Sequence, residues 1–232
     1  MKFSIQYAYQ ARESFAVITS CKKLKLDYKI SKQCLSGCIP IGSTDYCESI
    51  LRPSNKTINF YPAFLRKYLQ RKVGFCFINK PLAQKLFLKQ ANKWKSDFES
   101  KIYESGFIPP KNFYFWSEPV DFVQEWRYYV SCGEVVCSGW YDGLDENEPP
   151  PQINVEYPAM FSGAVDFGRD SKGIVQLVET HAPYACGWYG DDHLDYTIWQ
   201  YMSWNSFIEN QDFWRISDEE ANNINWRCSW KI

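Results

Sequence analysis

Residues 165–189 read VDFGRDSKGIVQLVETHAPYACGWY, and the first part of this segment has the pattern of a β-hairpin. Residues 165–167 would form one strand, residues 169–173 the turn, and residues 174–179 the returning strand. Antiparallel pairing of these two runs would place Asp166 near Glu179 at the same end of the ladder. We therefore expect two carboxylates to lie side by side across this hairpin.

Two neighbouring carboxylates repel each other unless a positive group lies between them, and the returning strand carries no basic residue that could do so. Mg²⁺ is a hard cation that binds through one or two carboxylates together with the phosphates of a nucleotide. Taken alone, the pair is better explained as two solvated acids on the rim of a hairpin. The carboxylate pair thus indicates a metal site only if the rest of the chain supports one.

The composition is that of a well-packed globular protein. The chain has 232 residues, enough for one domain or two small interlocked ones, and its aromatic content of 18% includes ten tryptophans. A net charge of −1 and a pI near 6.2 offer no attraction for nucleic acid or for an anionic membrane. No apolar run reaches the length of about 18 residues that a transmembrane helix needs. We expect neither a membrane nor a nucleic acid as partner.

The nine cysteines and the start of the chain favour a cytoplasmic protein. No two cysteines form a CxxC pair, and residues 1–6, MKFSIQ, contain no apolar core of a secretory signal. Reduced thiols are the default in that compartment. We expect most of the cysteines to be small residues of the hydrophobic core.

The first 55 residues have an α/β pattern. Alternating apolar residues predict a strand over 2–9, and short apolar runs predict strands over 24–30 and 38–41. Ser43 is placed to cap a helix over 44–51. The polar segment after Pro53 ends this unit, which we take as an N-terminal subdomain of residues 1–55.

The remainder of the chain mixes helices with strands. A helix is predicted over 61–69, with Pro62 in its first turn, and residues 145–151 form an acidic, proline-rich loop. Ser217 and Glu220 have the spacing of a capping box before a final short helix. The other predicted elements are strands at 75–78, 86–88 and 112–116, a hairpin over 125–141, and a helix over 193–208 with Leu194, Ile198, Tyr201 and Met202 as its apolar side.

Two groups of basic residues could meet phosphates. Lys80 and Lys85 flank a turn between strands, where their point charges would suit a triphosphate, although exposed lysines are common in such a lysine-rich segment. Alternation places Arg127 on one strand face with Glu125 and Tyr129. The planar guanidinium suits a phosphate or a carboxylate, and a weak surface ion pair is the alternative.

Six short motifs occur in an order that resembles the ATP-grasp superfamily, and within it the R2K clade. They cover residues 39 to 190, and their order and spacing are more specific than any single motif. The motifs are IPIGS at 39–43, FINKP at 77–81 with Lys85 after it, SEPV at 117–120, EWRYYV at 125–130, VDFG at 165–168 and LVETHAPYACGWYG at 177–190.

The resemblance implies an α+β protein with the ATP-grasp fold, in which two α+β lobes clasp ATP. A small N-terminal α/β pre-ATP-grasp domain over residues 1–55 would precede them. The ATP-grasp domain would then cover residues 56–232, with an N-lobe at 56–120 and a C-lobe at 121–232.

The resemblance also implies a reaction. ATP, with Mg²⁺, would phosphorylate a carboxylate, and an amine would attack the acylphosphate to form an amide and release ADP and phosphate. The substrate would be a small molecule, an amino acid or a peptide. A similarity to cell-division-cycle-type ATP-grasp chaperones suggests an alternative, in which a non-catalytic ATP-binding protein assists the assembly of a protein partner.

The motifs assign roles to individual residues. The resemblance implies phosphate contacts for Lys80 and Lys85, an adenine hinge at Glu118 and Val120, cofactor-binding positions for Glu125 and His181, catalytic roles for Arg127 and Lys80, and metal ligation by Asp166 and Glu179.

His181 departs from the family pattern. The family usually has Asn two residues after the metal-binding Glu, and this chain has an imidazole there. Because Mg²⁺ prefers oxygen ligands, the change leaves open whether a second metal ion binds and whether Mn²⁺ replaces Mg²⁺. A lone histidine in such a loop can also be a hydrogen-bonded structural residue.

Overall fold

A computed structural model describes residues 2–52 and 57–216, which form a mixed α+β fold. Eleven strands in this part of the chain are divided among three sheets. The strands are β1 Lys2–Gln6, β2 Tyr28–Ser31, β3 Cys38–Ile41, β4 Val73–Ile78, β5 Leu86–Gln90, β6 Lys101–Tyr103, β7 Asn112–Ser117, β8 Phe122–Ser131, β9 Glu134–Gly143, β10 Gly163–Asp170 and β11 Val175–His181. The helices are α1 Arg12–Leu24, α2 Thr44–Glu48 and α3 His193–Glu209, with 3₁₀ turns at Ala63–Tyr68, Pro183–Ala185 and Gln211–Trp214.

The N-terminal sheet is parallel and has the order β2-β1-β3. Helix α1 connects β1 to β2 and buries Ala16, Val17 and Cys21 in the main hydrophobic core. The sequence analysis missed this helix and wrongly placed residues 24–27 in a strand, because the apolar positions of α1 are interrupted by buried serines. Ser43 caps α2 as predicted, since its hydroxyl accepts a hydrogen bond from the Tyr46 N–H at 3.3 Å.

The lysine sheet, named for the lysine that it brings to the site described below, has the order β4-β7-β5-β6. Alternation along β7 directs Phe115 into the main core, whereas Tyr114 and Trp116 face a second, smaller core on the other side of the sheet. The face that carries Phe115 therefore faces the rest of the molecule.

The carboxylate sheet has the order β11-β10-β8-β9 and is antiparallel throughout. Its first hairpin turns at Cys132 and Gly133, with φ of 49° and 86°. Two successive positive φ values are those of a type I′ turn, whose twist matches the flanking strands. The predicted hairpin over 125–141 is confirmed, and so is the second hairpin that joins β10 to β11.

The lysine and carboxylate sheets are joined by direct contacts. The Thr180 N–H donates to the carbonyl of Phe60, which precedes the lysine sheet, at 3.1 Å. Arg71 donates from Nη2 to the carbonyl of Val178 at 2.9 Å. One continuous hydrophobic core contains residues of all three sheets, among them Ile5 and Trp126. The site described below lies where the lysine sheet and the carboxylate sheet meet.

Helix α3 packs with a different face from the predicted one. Its buried residues include Trp199, Trp204 and Phe207, whereas Ile198 and Met202 are 38% and 49% exposed. The predicted apolar side is thus exposed because tryptophan and phenylalanine, one to two positions along the helix, provide the larger buried surface.

Several predictions are not decided by this structure. The proposed capping box at Ser217 and the boundary at residues 53–55 lie outside the described residues, so the domain division stays a prediction. Of the eight cysteines in the described part, Cys21, Cys38, Cys47 and Cys186 are buried and none is in a disulfide. None of the helices in that part is both long and apolar enough to cross a membrane.

Candidate active site

Asp166 and Glu179 face each other on β10 and β11, as the hairpin pattern predicted. The ladder shifts directly after this pair, because Phe167 is opposite Leu177 and leaves Val178 as an extra residue. Such a bulge bends its strand and redirects side chains, and bulges occur often beside active sites. Here the bulge places Glu179 and His181 on the same face as Asp166.

Arg127 completes a row across three strands. It is opposite Asp166 on β8 and binds both oxygens of that carboxylate, with Nε–Oδ1 at 2.7 Å and Nη2–Oδ2 at 2.6 Å. The two side chains are only 3% and 1% exposed, and the guanidinium lies 4.6 and 5.1 Å from the ring centres of Tyr141 and Tyr189. This fork geometry holds the carboxylate in one orientation.

Mutual attraction decides the charge state of the pair. Burial favours the neutral form of each group, but the charge of Arg127 outweighs it and lowers the pKa of Asp166 below its ordinary value. The charge of Asp166 likewise keeps the pKa of Arg127 well above its usual range against the effect of burial. Asp166 is therefore an anion at neutral pH.

Lys89 neutralises the second carboxylate from the other sheet. Its Nζ donates to Glu179 Oε2, and it lies 4.2 Å from the centre of the Phe60 ring. Burial acts to raise the pKa of Glu179, but Lys89 and then His181 outweigh that effect and lower it. Both carboxylates are thus charged, and each is balanced by a cation.

His181 points into the space between the two carboxylates. Its Nε2 lies 3.0 Å from Glu179 Oε1 and 3.3 Å from Asp166 Oδ2. The residue is 8% exposed, and its Nδ1 has no hydrogen-bond partner in the part of the chain that the structure describes. One ligand atom from each of the three side chains lies within 4.8 Å of the others. Two carboxylate oxygens and an imidazole nitrogen that converge in this way fit a divalent cation.

The two lysines selected from the sequence lie on the surface. Lys80 is exposed just after β4, and Lys85 forms an ion pair with Glu104 at 2.7 Å while half of its side chain is exposed. The structure does not place either of them beside the carboxylates. Their assigned contacts with phosphates stay a prediction.

Sequence reasoning missed Lys89, which is 7% exposed. The sequence does contain an indication that Lys89 is buried. Lys89 continues an apolar strand, Leu86-Phe87-Leu88, instead of occupying a loop. Leu88 faces the smaller core, so alternation turns Lys89 toward the opposite face, where the carboxylates lie. A lysine inside an apolar strand is rarely buried without a partner.

A cavity of about 660 Å³ is connected to this cluster through Arg71, although none of the five cluster residues lines it. Arg71, which lines it, donates hydrogen bonds to the carbonyls of Leu177 and Val178 just before Glu179. Glu118 also lines the cavity and accepts a hydrogen bond from the Lys72 N–H at 2.9 Å. The other lining residues are Tyr61, Arg66, Lys67, Leu69, Gln70, Lys72, Val73, Phe115 and Trp116.

The predicted hinge residues Glu118 and Val120 lie in the connection between β7 and β8. This connection joins the lysine sheet to the carboxylate sheet, and Glu118 pairs with Lys72 through its backbone N–H as well as its side chain. The structure thus places the segment at the rim of the cavity, between the two sheets.

Glu125 differs from the other carboxyl groups of this region because its protonated form is favoured. Burial raises its pKa to about 8, with further increases from Asp166, Glu179 and Asp142. It lies two residues before Arg127 on β8, the shared strand face that alternation predicted. Tyr129, the third residue of that face, donates to the Gly187 carbonyl at 2.7 Å and so holds the segment after β11 against β8.

The comparison with protein-family models gives one match. The model of an ATP-grasp domain, R2K clade family 2, matches residues 65–198, which is more than half of the chain. The matched region contains the whole cluster of charged residues and most of the cavity lining. A search of curated proteins found no match.

Proposed function

Since the chain belongs to family 2 of the R2K clade of ATP-grasp domains, we propose that it is an ATP-dependent ligase that joins a carboxylate to an amine. The observation that carries this proposal is the convergence of Asp166, Glu179 and His181, with Arg127 and Lys89 beside them. Phosphoryl transfer is catalysed by neutralisation of charge and by alignment, and it needs no nucleophile from the protein. The cluster has the groups for that task.

The three sheets suit the expected domain plan. The N-terminal sheet would be the pre-ATP-grasp domain of residues 1–55, and the lysine sheet would belong to the N-lobe of residues 56–120. The carboxylate sheet would belong to the C-lobe of residues 121–232. In this plan the nucleotide lies where the lysine and carboxylate sheets meet.

The cavity is the proposed site of the nucleotide base. Its rim includes Glu118, and the backbone of residues 118–120 is not part of a ladder beyond its contact with Lys72, so its polar groups can read the edge of adenine. Phe115, on the face of β7 that is directed toward the main core, supplies apolar surface for the ring. Arg71 lies between this cavity and Glu179 and is therefore suited to contact the phosphates.

Lys89 is the lysine best placed for the terminal phosphates, because it is already at the carboxylates. Its ammonium group would leave Glu179 for a phosphate oxygen when the metal takes its place at that carboxylate. Arg127 would remain with Asp166, since its fork holds both oxygens. Lys80 and Lys85 remain the alternative, and matched variants can separate them from Lys89.

The metal would be held by Asp166, Glu179 and His181. A divalent cation, Mg²⁺ or Mn²⁺, supplies positive charge for the phosphate oxygens. The chain's own part is to keep both carboxylates ionised and oriented, which Arg127 and Lys89 do through the lowered pKa values of their partners. Burial of the cluster also limits access of water to the reacting group.

The proposed reaction has two steps. A substrate carboxylate oxygen attacks the γ-phosphorus of ATP, the bond to the β-phosphate oxygen breaks, and acylphosphate and ADP form. An amine then attacks the acyl carbon, the C–O bond to phosphate breaks, and an amide and phosphate form as the amine loses a proton. The substrate would be an amino acid, a peptide or another small molecule with these groups.

A direct test is release of ADP and phosphate by the purified protein with Mg²⁺-ATP and defined mixtures of carboxylates and amines. We expect turnover only when both substrates are present. We expect Glu179→Gln to abolish it, because that change removes the carboxylate charge that would hold the metal. Glu104→Gln, at an exposed position paired with Lys85, is the matched control and should retain full activity. Equal turnover in Glu179→Gln and the wild type would contradict the proposal.

An assembly chaperone is the second candidate. The observation that favours it is the exposed apolar side of α3, where Ile198, Tyr201 and Met202 are 38%, 41% and 49% exposed. An apolar helix face of this kind is suited to a protein partner. The protein would then bind Mg²⁺-ATP without turnover, and Met202→Glu would weaken partner binding while nucleotide affinity stayed unchanged.

A further inference from the structure

The third donor of the carboxylate cluster is a nitrogen. Asp166 and Glu179 each offer oxygen, but His181 offers an imidazole that is 8% exposed and whose Nε2 lies within 3.3 Å of an oxygen of each carboxylate. Its Nδ1 has no hydrogen-bond partner among the described residues, and an unsatisfied buried polar atom has an energetic cost. Its position between two carboxylates indicates ligation.

The distances fit two adjacent corners of a coordination polyhedron. Ligand atoms at about 2.1 Å from a six-coordinate cation lie roughly 3.0 Å apart when they are neighbours. His181 Nε2 is 3.0 Å from Glu179 Oε1 and 3.3 Å from Asp166 Oδ2. Each contact therefore has the length of a polyhedron edge.

The remaining oxygens of the two carboxylates are directed elsewhere. Asp166 Oδ1 accepts from Arg127 Nε, and Glu179 Oε2 accepts from Lys89 Nζ. Glu179 Oε1 has the imidazole as its neighbour, and Asp166 Oδ2 lies between that ring and Arg127. Of the three donors, His181 is thus the one that contacts no cation among the described residues.

From this arrangement we infer that His181 makes the site select a borderline divalent cation, with Mn²⁺ the physiological example, over Mg²⁺. Imidazole is a good ligand for transition metals, whereas Mg²⁺ favours oxygen and keeps much of its water. The inference rests on the proposed nucleotide function, because the metal would bind together with ATP phosphates. The proposed nucleotide function alone specifies neither the preferred ion nor the residue that determines the preference.

The test uses Mn²⁺ electron paramagnetic resonance on the full chain with a non-hydrolysable ATP analogue. Protein labelled with ¹⁵N-histidine should show a ¹⁵N coupling to bound Mn²⁺, which the nucleotide cannot produce. His181→Asn, which replaces the nitrogen donor by an amide oxygen, should abolish that coupling. His193→Asn, at the only other histidine, is the matched control and should leave it unchanged.

Competition measures the selectivity. The Mg²⁺ concentration that displaces half of the Mn²⁺ should fall by roughly tenfold in His181→Asn, the order of change seen when a supporting group is lost at a metal site. The ¹⁵N coupling in wild-type protein decides whether a histidine nitrogen binds the metal, even if the variant folds poorly. Near-ultraviolet circular dichroism reports the folding of each variant.

The outcomes separate the two proposals. Nucleotide-dependent Mn²⁺ binding that is lost in Glu179→Gln but shows no ¹⁵N coupling, with equal Mg²⁺ competition in His181→Asn, would overturn the selectivity and leave the ATP site intact. If wild-type protein binds no metal with the nucleotide, both the selectivity and the proposed function are refuted.

Discussion

The carboxylate sheet and the lysine sheet contribute to one site in different ways. Three neighbouring strands of the carboxylate sheet hold Arg127, Asp166 and Glu179 in a row, so ladder register sets their spacing. The lysine sheet contributes Lys89, which reaches the row across the junction of the two sheets. The first arrangement is built into one sheet, whereas the second depends on how two sheets pack.

The two ion pairs also differ in how firmly they are held, and the pair within one sheet has the more rigid geometry. Arg127 binds both oxygens of Asp166 with side chains 3% and 1% exposed, whereas Lys89 binds one oxygen of Glu179 with side chains 9% and 18% exposed. A planar fork fixes geometry, and an ammonium on a flexible stem can change partners. The comparison identifies the Arg127 pair as structural support and the Lys89 pair as the exchangeable one.

The largest expected effect is that of Arg127→Met on stability. The change leaves Asp166 charged and buried without its partner, which should lower the free energy of unfolding by about 3–5 kcal/mol. Urea denaturation measures it. Arg169→Met is the control, since Arg169 pairs with Glu148 where the side chains are 35% and 26% exposed, and its cost should not exceed about 1 kcal/mol. Equal losses in both variants would contradict the difference between the two pairs.

Lys89→Met should act on ligand binding more than on the fold. Loss of the ammonium should weaken binding of the ATP analogue by about 2–5 kcal/mol, as expected for a buried charge partner. The same change frees Glu179 Oε2, so a divalent cation without nucleotide should bind more tightly than in the wild type. Isothermal titration calorimetry measures both affinities.

The controls for this variant are Lys80→Met and Lys85→Met, which should bind the ATP analogue like the wild type because both lysines are exposed. A loss of nucleotide affinity in either control, with normal affinity in Lys89→Met, would return the phosphate role to the loop lysines.

The last expected effect is on the pH dependence of stability. Burial raises the pKa of Glu125 from 4.5 to about 8, so between these values the folded protein keeps a proton that the unfolded chain has released. The unfolded state binds fewer protons there, and stability falls as pH rises from 5 to 8. Asp166 and Glu179, whose pKa values are lowered, change their contribution only at more acidic pH.

Glu125→Gln should therefore flatten the dependence of the urea midpoint on pH between 5 and 8. Glu156→Gln, at an exposed position, is the control and should leave the slope as it is in the wild type. A slope that is unchanged in Glu125→Gln would mean that Glu125 is ionised throughout this range. A divalent cation should reduce the pH dependence of the urea midpoint in wild-type protein, because added positive charge favours the ionised form of Glu125.

Elements with a local signal were predicted well. The closeness of Asp166 and Glu179 was predicted from the hairpin pattern, but their direct pairing depends on the bulge at Val178, which was not predicted. The common face of Glu125, Arg127 and Tyr129 followed from alternation. Helix α1 was missed because polar residues interrupt its buried positions, and the packing face of α3 was misjudged because large aromatic residues surround the helix.

By itself the sequence determined which residues share a strand, which strands form hairpins and which family the motifs resemble, because these features depend on neighbours along the chain. The tertiary structure alone decided that Lys89, and not a lysine of the preceding loop, meets Glu179, and that His181 lies between the two carboxylates. The reason is physical: contacts between sheets depend on how their buried faces pack, and no spacing in the sequence encodes the distance between two faces.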